Sequence, residues 1–427
     1  MKRVLIVGGG ASGLLVALNI FRFAEEPFSI EIADPREVLG QGLAYSTTDE
    51  AHLLNVPAGR MSAFPDQPSH FVSWTGRDGN YFAPRKDYGR YLLETLAMER
   101  GKTTQVEFLH RKVLVSDISP IKDGWNAKFM DGSAADYDEI VLAMGHGLPL
   151  EIPALTEVKS SSRYQADPWR ESLEKFSGTL VGLGTGLTFI DLALSHLRNH
   201  PENKVIGISR NGLLPEAHLA KRAEPLAVPS AATTSARAVR DFIENASDWR
   251  AAQDGVRHEL PEIWFGWSED EKRDFFANHL RWWNVHRHRV SPEIQSEIEN
   301  AVSEGRLKIL KDEVERVNET SDGILIYLKS GKQITAERLV NCLGYDAWKE
   351  NCLLSTLVER EVATWGPLGL GIKSAFPNFH VKTAQGRSHS NLYAIGPILL
   401  GERFETTAIP ELKEQALQIA KELTGVI

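Results

Sequence analysis

Apolar runs that end on glycine recur along this chain, and most lead into residues at helical spacing. Val4 to Val7 is a continuous apolar run of the kind found in a strand covered on both faces. Leu14 to Phe23 then repeats its apolar residues at the spacing of an amphipathic helix. Gly8-Gly9-Gly10-Ala11-Ser12-Gly13 joins them, and a second strand, Ser29 to Ala33, ends at Asp34. The same order returns later. Thr179-Leu180-Val181 passes through Gly182-Leu183-Gly184-Thr185-Gly186 into Thr188 to Leu194, and the strand Lys204 to Ser209 ends at Arg210. Three further strands close on glycine: Tyr137 to Gly145, Arg338 to Gly344, and Asn391 to Gly396.

Between these runs, Tyr88 to Glu99 has helical spacing, and Val106 to Ile118, Trp125 to Phe129 and Ile324 to Leu328 alternate as half-buried strands do. Leu39 to Asp87 has no clear period, and a loop of that length in a compact domain is usually functional. The segment from Leu213 to Ser303 reads as mostly helical, more than a nucleotide-binding unit requires, and could build a substrate pocket. Pro410-Glu411 opens an amphipathic helix toward Leu423, with proline suited to its first turn. The elements predict an α/β fold with two Rossmann-like dinucleotide-binding domains, the chain returning to the first at its end. The expected division is 1–156, then 157–334 with a helical insertion at about 213–303, then 335–427.

The glycine turns carry the first chemistry. In a strand-to-helix turn, Gly8, Gly10 and Gly13 would make the bend, admit a pyrophosphate and let the helix pack on the strand, leaving the anion at the helix N-terminus. Asp34 stands where an acid accepts from a ribose hydroxyl. In the second turn Leu187 takes the place of the third glycine, a position that governs helix packing more than phosphate approach. Arg210 in place of an acid suits a 2′-phosphate and so favours NADPH over NADH, or else it is a solvated loop charge. Arg281-Trp282-Trp283-Asn284-Val285-His286-Arg287-His288-Arg289 is basic within an acidic chain. It reads either as a solvated helix face or as an anion-binding patch in which His286, Arg287 and Arg289 meet NADPH phosphates or a substrate carboxylate. No carboxylate or cysteine cluster accompanies its histidines, so no metal site is expected.

Composition narrows the classes. A net charge of −9 argues against general binding to nucleic acid or anionic membrane, and no apolar run approaches the ~20 residues of a membrane helix. The N-terminus enters a strand without a signal-peptide pattern, which leads us to expect a cytoplasmic protein. The two cysteines, Cys342 and Cys352, do not form a C-x-x-C pair, the spacing of a redox disulfide.

Five stretches carry a resemblance: Gly40 to Tyr45, His52 to Phe64, Ser209 to Pro215, Asn284 to Arg289, and Phe404 to Glu411. Through them the chain resembles the two-dinucleotide-binding flavoproteins, in which an NAD(P)H domain is inserted into an FAD domain. Within these it is similar to the bacterial branch containing FAD-dependent urate hydroxylase and the nitrosuccinate-forming aspartate N-monooxygenase. The resemblance implies FAD at Gly8, Gly10, Ala11, Ser12, Gly13, Asp34, Arg60, Met61, Gly145, Gly396 and Ile409, and NADPH at Gly182, Gly184, Thr185, Gly186, Ser209 and Arg210. Asn55 is expected either to hydrogen-bond near the reactive flavin edge or to cap a loop backbone. Two departures stand out: Pro397 follows Gly396 where relatives carry an acid, and Tyr164 to Trp169 lacks the histidine of the larger flavin monooxygenase class. The implied activity is a monooxygenase that inserts one atom of O2 into a small polar substrate, most simply by N-hydroxylation through an oxygen adduct at flavin C4a. A reductase serving a protein or quinone, and a non-catalytic cofactor-binding sensor, remain open.

Overall fold

The computed structural model describes residues 1–169, 173, 175–219, 223–345 and 348–426. In β1 (Lys2–Val7) the last four residues are all buried, as in a parallel strand covered on both faces. α1 (Ala11–Phe23) starts from Gly10 and β2 (Phe28–Ala33) follows; α2 (His70–Thr75) lies within the stretch expected to be a loop, and α3 (Arg85–Lys102) ends it. β3 (Val106–Arg111) then precedes an antiparallel meander of β4 (Val115–Ile121), β5 (Gly124–Phe129) and β6 (Ala134–Tyr137), and β7 (Glu139–Leu142) closes the segment.

The second unit repeats this plan. It runs from β8 (Tyr164–Gln165) and β9 (Leu180–Leu183) through α4 (Leu187–Asn199) to β10 (Val205–Ser209). Helices α5 (Ala236–Glu244), α6 (Trp249–Gly266), α7 (Glu269–Asp274), α8 (Leu280–Arg287) and α9 (Pro292–Ser303) lead to β11 (Leu307–Lys311). A second meander, β12 (Val314–Thr320), β13 (Gly323–Leu328) and β14 (Gln333–Ala336), precedes the closing β15 (Arg338–Asn341). After α10 (Cys352–Glu359), the strands β16 (His380–Lys382) and β17 (Ser388–Ala394), then α11 (Leu400–Arg403) and α12 (Ile409–Thr424), return to the first unit.

The first sheet has the order β16-β17-β7-β1-β2-β3 and the second β11-β10-β9-β15-β8. Apart from the antiparallel β16, every neighbouring pair in both is parallel. Read outward, β3-β2-β1-β7 and β11-β10-β9-β15 are the same arrangement, and each unit inserts a meander just before its closing strand. β17 pairs with β7, so the second unit is an insertion into the first.

Two expected boundaries move. β15 pairs with β9, so the second unit extends past residue 334 to at least Asn341. Ile294, Ile298 and Ala301 of α9 pack with Phe189, Leu194 and Leu197 of α4, making α9 the crossover between parallel β10 and β11 and not part of the accessory insertion. What remains of the insertion has its own aromatic core of Trp264, Trp267, Phe275 and Trp283. Phe404, from the segment before α12, stacks on Trp264 with ring centroids 4.8 Å apart and so ties that core to the first unit. Among the described residues, no helix is long and apolar enough to cross a membrane.

Candidate cofactor-binding cleft

Both glycine turns are built around the same close approach. At Gly8 the backbone has φ +104°, and a Cβ there would lie 2.3 Å from the carbonyl oxygen of Ala143. At Gly184 φ is +92°, and a Cβ would lie 2.4 Å from the carbonyl oxygen of Cys342. Each turn therefore needs glycine for conformation and for contact with its closing strand.

In the first turn, the amide of Gly9 donates to Asp34 Oδ2 at 2.7 Å, which fixes the carboxylate beside the bend. Arg36 covers the same carboxylate through its backbone amide, Nε and Nη2 at 2.9, 3.0 and 2.9 Å. Burial alone would raise the Asp34 pKa, but these donors outweigh it and hold it below the ordinary value. Asp34 thus stands at the expected end of β2, with Arg36 as a second group over the turn that the strand-to-acid pattern did not flag. Ser12 is buried against Gly396, whose position a Cβ would bring to 2.8 Å from Ser12 Oγ. The Gly396 amide donates to Gln415 Oε1 and its carbonyl accepts from Thr406 Oγ1, both at 3.0 Å. Gly8, Gly10, Ala11, Ser12, Gly13, Asp34 and Gly396 therefore lie beyond the carboxyl ends of β1, β2 and β17, and Ile409 is buried at the start of α12. Met61 is buried in the core, while Arg60 approaches Lys413 of α12 closely enough to depress that lysine's pKa in addition to burial. Pro397 is buried in a short 3₁₀ turn, leaving no acid at that position.

The second turn explains its missing glycine. Cβ atoms at Gly182 and Gly207, on neighbouring strands, would lie 2.4 and 2.7 Å from the ring of Phe189. The ring fills the trough over both strands, so α4 packs through Phe189 and Leu187 needs no special backbone. At the end of β9 and β10, Thr185 Oγ1 lies 2.9 Å from Ser209 Oγ and 2.6 Å from the Leu213 carbonyl. Arg281, from α8, donates through Nη2 to Thr185 Oγ1 at 2.8 Å and to Leu213 O at 2.6 Å. Burial lowers the Arg281 pKa, and the nearby exposed Arg210 lowers it further. Two like charges thus stand together beside the second glycine turn.

Arg281 belongs to the basic stretch, yet the stretch does not act as expected. Arg287 is buried and forked onto Glu405, with Nε 3.1 Å from both carboxylate oxygens and Nη2 3.0 Å from Oε2. Arg289 is likewise buried and paired with Asp254 at 3.3 Å. His286 packs against Trp249 and Trp282, and its Nδ1 donates to the Trp282 carbonyl at 2.8 Å. Neither arginine is a solvated face or an open patch. Their charges are consumed internally, because α8 runs through the middle of the insertion and acids from distant segments close on it. Arg257 joins the same cluster, pairing with Glu411 of α12 and lying 3.9 Å from Glu405.

Where the two units face each other, their closing strands present His146, just after Gly145, and Tyr345, just after Gly344, with ring centroids 6.4 Å apart. Tyr345 donates to Asp167 Oδ1 at 2.9 Å. His146 is accessible to solvent yet enclosed by surrounding atoms, and this desolvation lowers its pKa to about 4. His288, at the end of α8, is also held at about 4, by burial first and then by Arg287. Both imidazoles are neutral near pH 7. In the long loop, the Asn55 carbonyl accepts from His218 Nε2 at 3.0 Å, which places the proton of that neutral ring on Nε2. Asn55 thereby joins the first unit to the insertion.

Residues 5–147 match the FAD-NAD(P)-binding family model. A search of curated proteins finds no match. Among solved structures, ornithine hydroxylase from Pseudomonas aeruginosa is similar at 16% identity and a TM-score of 0.66, covering 100% of this chain and 99% of that one. The ornithine N-hydroxylase of Kutzneria sp. 744, described with reduced FAD, NADP+ and L-ornithine, is similar at 15% identity and 0.60, covering 98% of each. Bacillithiol disulfide reductase from Staphylococcus aureus follows at 13% and 0.61, covering 100% and 99%. The family-model match covers the N-terminal part of the first unit. Over its whole length the chain shares the fold of these three structures, with one nucleotide-binding-like unit set into another.

Proposed function

We propose that the protein is an NADPH-dependent FAD monooxygenase that N-hydroxylates a small amine or amino acid with one atom of O2. The observation that carries the reading is full-length likeness, helical insertion included, to two ornithine-hydroxylating flavoproteins. FAD, when bound, would accept a hydride from NADPH and hand electrons to oxygen. Gly8, Gly10 and Gly13 with the N-terminus of α1 would hold its pyrophosphate, and Gly145, Gly396 and the start of α12 would border its remainder. Gly184, Thr185 and Gly186 would take the NADPH pyrophosphate. Arg210 and Arg281 would take the 2′-phosphate, a pairing of two guanidinium groups that an NADH site has no use for. The neutral imidazoles of His146 and His288 would border the cleft without adding charge.

A second reading, an NAD(P)H-dependent flavin reductase, draws on the similar TM-score of the bacillithiol disulfide reductase. One experiment separates them. Purified FAD-loaded protein is given NADPH with and without a panel of amines and amino acids, and oxygen uptake, peroxide and product mass are followed. A substrate that accelerates NADPH oxidation and gains one oxygen atom supports the monooxygenase. Turnover with disulfides or quinones in the absence of oxygen, with no oxygenated amine, supports the reductase and refutes the first reading.

A further inference from the structure

The two units are joined by a polar chain, buried at His52 and Ser195 and half-buried at Thr47 and Asp49, in which every proton has a single consistent place. Ser195, on α4, lies 2.5 Å from Asp49 Oδ2 and 2.8 Å from His52 Nε2. Asp49 and His52 belong to the long loop of the first unit. An ionised carboxylate can only accept, so the Ser195 hydroxyl donates to Asp49 and its oxygen accepts from His52 Nε2–H. His52 Nδ1 must then accept, and Thr47 Oγ1 stands 2.6 Å away to donate. The order Thr47, His52, Ser195, Asp49 is complete with a neutral imidazole, in keeping with the lowering of the His52 pKa by burial. One turn earlier on α4, Asp191 Oδ2 lies 3.0 Å from Arg85 Nη2, at the first residue of α3. His52, Asp191 and Ser195 are all more than nine-tenths buried. Leu53, the next residue of the loop, packs into the apolar core of the second unit, and the Trp169 ring meets His52 edge-on at 5.5 Å.

We infer that Asp191, Ser195 and His52 are positioning residues that fix the nicotinamide-binding turn relative to the flavin-binding unit. The physical ground is the shortness of the lever. Asp191 lies five residues into the helix that Gly186 starts, about 7 Å along its axis at ~1.5 Å per residue. Over that distance a helix is stiff, so tying Asp191 and Ser195 to the first unit sets where the glycine turn points. A displacement of about 1 Å between hydride donor and acceptor can cost on the order of a hundredfold in rate. None of these residues need touch either cofactor. The inference rests on the proposal that both cofactors bind and exchange a hydride.

The test uses FAD-loaded full-length protein and the variants Asp191→Asn and Ser195→Ala. Four quantities are read: FAD content, NADP+ affinity by titration, the limiting rate constant of anaerobic flavin reduction by NADPH, and reoxidation by oxygen after chemical reduction. Asp191→Asn is expected to lower the limiting reduction rate by roughly tenfold or more, and Ser195→Ala by a few-fold, with FAD content, NADP+ affinity and reoxidation close to wild type. Ser195→Ala removes only a hydroxyl, so it keeps the test open if Asp191→Asn fails to fold. FAD-loaded variants that are reduced at the wild-type limiting rate would overturn the inference. Wild-type protein that holds FAD but is not reduced by NADPH would instead overturn the proposed function.

Discussion

Replacing Glu405 by glutamine leaves shape and volume nearly unchanged while stripping the charge from the centre of a buried cluster. The carboxylate accepts Arg287 Nε and Nη2 at 3.0–3.1 Å and Trp283 Nε1 at 3.1 Å, and both charged side chains are more than nine-tenths buried. Burial alone would push the Glu405 pKa up, but the facing Arg287 and Arg257 overcome it and bring the group from 4.5 down to about 2. The pairing therefore stabilises the fold above the ordinary carboxylate range and is lost as the pH falls through the lowered folded value. Leaving Arg287 buried without its partner is expected to cost about 3–5 kcal/mol. The assay is a double-mutant cycle, with Glu405→Gln, Arg287→Met and the pair compared by urea unfolding. Tryptophan fluorescence reports directly, since Trp283 and Trp264 lie in the same core. The pair should be less damaged than the sum of the singles by at least about 2 kcal/mol, because it removes both buried charges together. Strictly additive effects, or a Glu405→Gln cost below about 1 kcal/mol, would refute the view that this cluster is a tightly coupled internal ion pair.

The glycine turns should separate the two cofactors. Gly184→Ala sets a Cβ against the Cys342 carbonyl and should abolish NADP+ binding by calorimetry while the protein keeps its FAD, whereas Gly8→Ala should lose the flavin, read from visible absorbance. Arg281→Ala should reduce the preference for NADPH over NADH by about tenfold or more in kcat/KM, the weight of a charged hydrogen bond, while Arg289→Ala should change stability and leave that ratio alone. Acid should weaken the fold in a defined window. His218 and His288 are held neutral at about 4 against an unfolded value near 6.5, so the unfolded chain takes up protons first. Stability then falls as pH drops from 6.5 toward 4, by up to about 3 kcal/mol for each histidine, and His288→Gln should flatten the dependence of the urea midpoint on pH.

Much of the architecture was legible because each nucleotide unit writes its own local grammar. Gly8 and Gly184 are followed by helices and preceded by strands, and the glycines at 145, 344 and 396 mark the ends of the strands that close the sheets. The same repetition hid the domain boundary, since β15 looks like any other closing strand until its partner β9 is known. From sequence alone α9 cannot be told from the insertion, because an amphipathic crossover helix and an accessory helix have the same period. At the site, the composition of the stretch 281–289 sets it apart, but which of its arginines are paired internally depends on which way α8 faces. Glu405, 118 positions beyond Arg287, and Thr185, 96 positions before Arg281, decide that, and no local pattern encodes either partner. His52 opens one of the stretches that carry the resemblance, but Asp191 and Ser195 carry no motif, and the link among the three arises only when the loop lies against α4.

The return of β17 and α12 to the first sheet has a consequence for how the molecule is made. The second unit is contiguous from β8 to β15 and can fold as soon as that stretch leaves the ribosome. The first unit emerges earlier but stays short of β17, of Gly396 and of the helix that packs on α1 until nearly the whole chain is synthesised. The later segment therefore matures first, and the earlier one waits with an open sheet edge at β7. A nascent chain arrested before residue 388 should bind nicotinamide nucleotide and no flavin, so flavin capture would mark the emergence of β17 and α12.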